Sequence, residues 1–201
     1  GTEMLILVRH ARTVLNAEGR LQGRSDPALD EVGQQQALGL AERLSTDRVV
    51  RVITSPLLRA RATAEVVTDR HDLVPEVDPA WIELDYGVLE GVAIGAVGAE
   101  VWRAWREDPD FAPDGGESFT SLDERVHRAC ERIHAERPDG DVVVVSHVSP
   151  IKSAVAWALG ASTTIAHRMR LGQAAVSRID VSGDRPVLVS FDEWSPGSDA
   201  D

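Results

Sequence analysis

The chain has one cysteine, Cys130, which rules out an internal disulfide and fits a reducing compartment. No apolar run approaches the roughly 20 residues that a membrane-crossing helix needs. No Cys/His spacing has the form of a zinc site. Positive charge is scarce: 21 Lys and Arg stand against 33 Asp and Glu, a formal net charge of −12. That balance argues against nucleic acid and acidic membranes as partners. No internal repeat and no linker divides the 201 residues, which suffice for one domain with a sizeable core. The expectation is a single cytoplasmic domain over residues 4–195, with 196–201 as a flexible tail and Gly1–Glu3 set aside from the fold.

What the chain does have is a short branched run, Leu5-Ile6-Leu7-Val8, of the kind buried on both faces of a sheet. It delivers Arg9 and His10. A local excess of cations surrounds them: up to Arg24 there are four arginines (9, 12, 20, 24) against Glu3 and Glu18. The polar stretch from Arg12 to Asp30 is long for a plain connection and is expected to line a site.

Ala37, Leu40, Ala41 and Leu44 fall on one face of a helix predicted over Glu31–Leu44. Val49–Thr54 reads as a second strand, and Ser55-Pro56 as the start of a helix carrying Arg59 and Arg61. A short edge strand is expected within Asp72–Asp78, next to Pro75. Trp81–Gly87 is a loop with two carboxylates, Glu83 and Asp85. Val92–Arg106 is predicted helical, with Trp102 and Trp105 one turn apart and read as packing residues. Phe119, Leu122, Val126, Cys130 and Ile133 define a strong helix started by Ser118. Four consecutive valines within Asp141–Ser146 make the clearest buried strand, which ends in His147. Ser149-Pro150 repeats the Ser-Pro helix start, and Gly160 ends that helix. Ala174–Val181 and Pro186–Phe191 are two more expected strands.

Strand followed by helix, three times over, predicts an α/β fold: a doubly wound, mostly parallel sheet with helices on both faces. Parallel strands would bring Arg9-His10, Ser55 with Arg59, and His147 to one sheet edge. Two imidazoles, two guanidiniums and two helix N-termini there suit a phosphoryl group. A neutral imidazole can attack phosphorus. His71, His127, His134 and His167 lack this context and read as surface or satisfied core residues.

Leu7-Val8-Arg9-His10-Ala11-Arg12-Thr13, with Asn16, Arg20 and Gln22-Gly23, resembles the opening of the histidine phosphatase superfamily, the phosphoglycerate mutase-like proteins. Ser55–Ala60 with Thr63-Ala64, Glu83–Gly87 with Glu90-Gly91, and Ser146-His147 resemble its later motifs, in the family's order. The resemblance implies a phosphohistidine on His10, with Arg9, Arg59 and His147 holding the phosphoryl oxygens. Asn16, Gln22 and Gly23 would complete the cradle, with Arg12 and Thr13 near it. Glu83 would be the general acid and base, ahead of its rivals Asp85 and Glu90. Its pKa would be raised by burial against Trp81, Ile82 and Tyr86 and lowered by the arginines. Asp85, Tyr86 and Val148 would face substrate, under a cap formed by 84–116. No metal and no cofactor are implied.

The sequence departs from the family pattern at Ala11, where glycine is usual, and at Val148-Ser149-Pro150 after the second histidine. The first change is expected to alter rate or selectivity. The second is similar to the α-ribazole phosphatase-like branch. The expected activity is hydrolysis of small phosphorylated metabolites. Alternatives are a phosphoglycerate-type mutase, disfavoured because no cationic patch for a bisphosphate is evident, and a phospho-ligand binding module whose chemistry has lapsed. Nothing in the sequence excludes a homodimer.

Overall fold

The computed structural model describes residues 1–194. In chain order its elements are β1 (Met4–Arg9), α1 (Val14–Ala17), α2 (Glu31–Leu44), β2 (Val49–Thr54), α3 (Leu58–Asp69) and β3 (Glu76–Val77). They continue with α4 (Ala99–Glu107), α5 (Phe119–Glu136), β4 (Asp141–Ser146), α6 (Val148–Leu159), β5 (Val176–Asp180) and β6 (Val187–Glu193). The six strands form one sheet in the order β3-β2-β4-β1-β5-β6. The first four of that order are parallel neighbours, and β5 runs against both β1 and β6. The expected doubly wound, mostly parallel sheet is present.

Alternation along the strands divides the core in two. Leu5, Leu7, Ile53, Val142 and Val144 face α5 and α6, meeting Leu122, Val126, Cys130, Ile151 and Val155. Ile6, Val8, Val52, Val143 and Val145 face α2 and α3, meeting Ala37, Leu40, Leu44, Ala60 and Val67. Because both faces are covered, β4 is buried from end to end, which is why its valines run without a polar break.

Several local expectations shift. Val92–Arg106 is not one helix: a 3-10 turn over Ile94–Ala96 precedes α4, which starts after Gly98. Gly95 and Gly98 weaken any helix passing through them, since glycine surrenders the most backbone freedom on ordering. Helix α3 begins at Leu58, not at Pro56, and Ser55 is no cap for it. Helix α6 is entered one residue earlier than Ser149, with His147 in the N-cap position. Pro150 then sits in the first turn, where its missing N–H would have had no intrahelical acceptor. The strand beside Pro75 shrinks to Glu76–Val77 on the sheet edge. The expected flexible tail lies outside the described residues. No helix among the described residues is long and apolar enough to cross a membrane.

Candidate active site

The site starts from strand register. Arg9 pairs with Ser146 across β1 and β4, and the ladder runs on one residue further, His10 N–H donating to Ser146 O at 3.0 Å. On the other side of β4, Ser55 N–H donates to Val145 O at 2.9 Å. Three consecutive strands of the sheet therefore end in fixed register at His10, His147 and Ser55. The two imidazole centroids lie 5.0 Å apart.

Each ring has its tautomer set by a neighbour. His10 Nδ1 lies 2.7 Å from the carbonyl of Ala11, which can only accept, so Nδ1 carries the hydrogen and Nε2 keeps its lone pair. His147 Nε2 lies 2.7 Å from Ser55 Oγ. That oxygen also accepts from Leu57 N–H and keeps its own hydrogen to give to Nε2, the arrangement in which His147 presents Nδ1–H as a donor. Burial first, then the guanidiniums of Arg59 and Arg9, push both imidazole pKa values well below the ordinary range. Both rings are neutral at physiological pH.

Positive charge comes from the arginines. Arg59 is fully buried on α3 and spends its two Nη atoms on the carbonyls of Ser25, Gly23 and Gln22. Burial lowers its pKa to about 10, which leaves it charged at neutral pH. Its Nε and His147 Nδ1 are buried and have no partner among the described residues. Two buried donors left over beside one another fit an oxyanion. Arg9 is anchored by Nη1 donating to Leu171 O at 2.6 Å. Asn16 Oδ1 caps the turn begun by Thr13, accepting its N–H, and Thr13 Oγ1 donates to Gln22 Oε1 at 2.6 Å.

Glu83 is 3 % exposed. One oxygen accepts from Leu84 N–H at 2.6 Å, and the other faces Ser149 N–H in the first turn of α6 at 3.5 Å. Burial raises its pKa; those amides and the guanidiniums of Arg59 and Arg125 pull the other way, and the net direction is up. Its loop is pinned by Ser146 Oγ donating to Trp81 O and by Arg24 and Arg125 donating to the Glu83 carbonyl.

Above these groups opens a cavity of about 710 Å³. Arg9, His10, Asn16, Gln22, Glu83, Tyr86 and Val148 line it, while Arg59 and His147 lie beneath, fully buried. The long loop after Arg12 does line the site, through Asn16, Gly19, Arg20, Leu21 and Gln22. Arg12, Thr13, Gly23 and Asp85 do not line it, against expectation. Arg12 is held by Asp30 at 2.8 Å, and Thr13 is used in capping. Gly23 gives its N–H to Glu90 at 2.8 Å and its carbonyl to Arg59, so it shapes the cradle from behind. A Cβ there would strike the Leu84 carbonyl. Asp85 caps Gly87 N–H at 2.9 Å. Glu90 is spent on the amides of Gly23, Arg24 and Ser25.

Ala11 needs no unusual backbone: its φ is not positive, its side chain is buried in the α2/α3 core, and its N–H donates to Thr63 Oγ1 at 3.1 Å. From the segment 84–116, Tyr86, Ile94, Trp102, Trp105 and Arg106 reach the cavity, so the two tryptophans pack together and also form its wall.

Among the cavity residues that the sequence reading did not assign to the site are Lys152, His167, Arg170 and Ser149. Lys152 could have been found, because it follows Val148 by one helical turn on the same face. Nothing local marks His167 or Arg170, which arrive from a 3-10 segment and the loop after it. Arg170, with Arg20, Arg106 and Lys152, gives the wall several cations, so the absence of a cationic patch inferred from sequence is corrected.

This sheet, with two neutral imidazoles, buried guanidiniums and a carboxyl of raised pKa at its edge, defines a phosphoglycerate mutase-like protein. The chain belongs to the histidine phosphatase superfamily (branch 1), whose family model matches residues 5–193. It is 35% identical over 184 residues to the bifunctional protein Rv2228c of Mycobacterium tuberculosis, covering 90% of this chain and 50% of that protein. It thus spans about half the length of that relative. It is also 35% identical over 180 residues to the protein named probable phosphoglycerate mutase GpmB of Cronobacter sakazakii, covering 87% of this chain and 83% of that one. The structure of a mycobacterial glucosyl-3-phosphoglycerate phosphatase matches with a TM-score of 0.85 and 29% identity, over 94% of this chain and 99% of that one.

Proposed function

We propose that the protein hydrolyses small phosphomonoesters through a phosphohistidine on His10. His10 Nε2 attacks phosphorus as the ester P–O bond breaks, and protonated Glu83 gives its proton to the leaving oxygen. Arg9, Arg59 Nε and His147 Nδ1–H take the equatorial oxygens as charge spreads over them. Glu83, now a carboxylate, removes a proton from water, whose oxygen attacks phosphorus. The P–N bond breaks, and phosphate leaves with His10 neutral again. The guanidiniums supply the positive charge and the His147 N–H a further donor, so the proposal needs no metal. The partner is a small phosphorylated metabolite, not nucleic acid.

The observation that carries this reading is the His10 tautomer: the Ala11 carbonyl holds Nδ1–H and leaves a nucleophilic Nε2 on a ring that lines the same cavity as Glu83. The test is phosphate release from p-nitrophenyl phosphate in EDTA, with trapping of acid-labile phosphoprotein. Wild type should turn over and label, and His10→Ala should do neither. Equal slow release by both would leave a phospho-ligand binding module.

The cationic wall favours one second reading, phosphoryl return to a bound phosphoglycerate through a bisphosphate. Hydrolysis is preferred because a mutase must exclude water while the intermediate lives, and about 710 Å³ leaves room for water beside a three-carbon acid. A coupled assay with phosphoglycerates, with and without a bisphosphate primer, separates the two.

A further inference from the structure

The chain has a single lysine, Lys152, among its 21 cationic side chains, and that lysine lines the cavity. It makes no hydrogen bond or ion pair with the described residues. It lies near enough to Arg9, Glu83 and Asp192 to feel all three, and it lines the same cavity as His10. His167, also on the lining, feels both Lys152 and Arg106. Arg106 and Arg170 also line the cavity without an ion-pair partner among the described residues. Among the described residues, the sole carboxylate on the lining is Glu83. In a chain of net charge −12, this concentration of unspent cations needs an anion.

The remaining wall is apolar: Leu21, Ile94, Trp102, Trp105, Phe119 and Met169. Trp105 is 3 % exposed, and its ring packs against Trp102. The volume is in the range that encloses a drug-sized molecule rather than a three-carbon acid.

Resting on the phosphatase reading, we infer that the leaving group carries a ring and, beyond it, a second anionic group, with Lys152 recognising that anion. The ring lies against Trp102, Trp105 and Phe119. Arg106 and Arg170 add to the field of the wall. The second anion is a carboxylate or a phosphate, which the same ammonium would accept.

Calorimetry with non-hydrolysable phosphonates tests this without turnover. The ligands are naphthylmethylphosphonate, the same compound with a remote carboxylate, and one with a second phosphonate. At low salt, at least one doubly acidic ligand should bind wild type tenfold or more tighter than the parent. That advantage should fall below twofold in Lys152→Met and persist in Lys152→Arg. Which ligand gains identifies the anion. Equal binding of all three by wild type overturns the inference, as does a preference that Lys152→Met leaves intact. An inactive esterase that keeps the preference sinks only the hydrolysis. An active one that lacks it sinks only this subsite.

Discussion

Ser55→Ala isolates the claim that His147 is held in one tautomer. In the folded protein the Ser55 hydroxyl lies 2.7 Å from His147 Nε2, placed to donate to it, and both residues are fully buried. Truncation removes that bond and leaves Nε2 unpaired, at a cost of about 1–3 kcal/mol of stability. For a domain of this length that lowers Tm by roughly 2–4 °C per kcal/mol. Without the serine, nothing but the phosphoryl group biases the ring towards Nδ1–H. The catalytic loss should therefore approach the net worth of one hydrogen bond, about 0.5–1.5 kcal/mol. That corresponds to a fall in kcat of between about twofold and tenfold. KM should move less, because the donor matters most when charge spreads over the oxygens. Nitrogen NMR of the labelled imidazole reads the tautomer directly: Nδ1 protonated in wild type, a mixture in the variant. A lowered Tm with unchanged tautomer and unchanged kcat would refute the reasoning and leave Ser55 as packing.

Glu83→Gln should cost roughly 10²–10⁴-fold on alkyl phosphates, whose leaving oxygen needs a proton. On p-nitrophenyl phosphate the first step should suffer far less, so stopped-flow should show a burst of nitrophenol followed by slow release of phosphate. Acid should destabilise the protein through His10 and His147. Their folded pKa values lie below 6.5, so the unfolded chain binds more protons once pH drops under that value. Each ring that stays neutral subtracts up to about 1.4 kcal/mol per pH unit until its folded pKa is reached. Glu83, with a raised pKa, opposes this between 4.5 and its folded value, because there the folded state holds the extra proton. Urea melts from pH 7 to pH 5 should show the fall, and His10→Gln should make it shallower. Ala11→Gly should leave kcat within about twofold while lowering stability by roughly 1 kcal/mol, since a buried methyl is lost and backbone freedom gained. A large rise in kcat would restore a rate-tuning role for the alanine.

The strands, the helix faces and the floor of the site were legible in the chain because their signals are local. Val49–Thr54, Asp141–Ser146 and Glu31–Leu44 carry their periodicity within a few residues. Buried strands that end in Arg9-His10 and in His147 announce a sheet-edge site once parallel order is assumed. Family motifs added Glu83, which spacing alone could not have chosen over Asp85 or Glu90. Tertiary structure separates the three carboxylates: Glu83 is buried and faces the cavity, Asp85 caps a turn, and Glu90 binds three backbone amides. It also decided the tautomers, which depend on a carbonyl one residue away and on a hydroxyl 92 residues away. The cationic wall belongs to the same category. Arg20, Arg106, Lys152 and Arg170 are dispersed along an acidic chain, and only the folding of four separate segments around one cavity turns them into a single electrostatic feature.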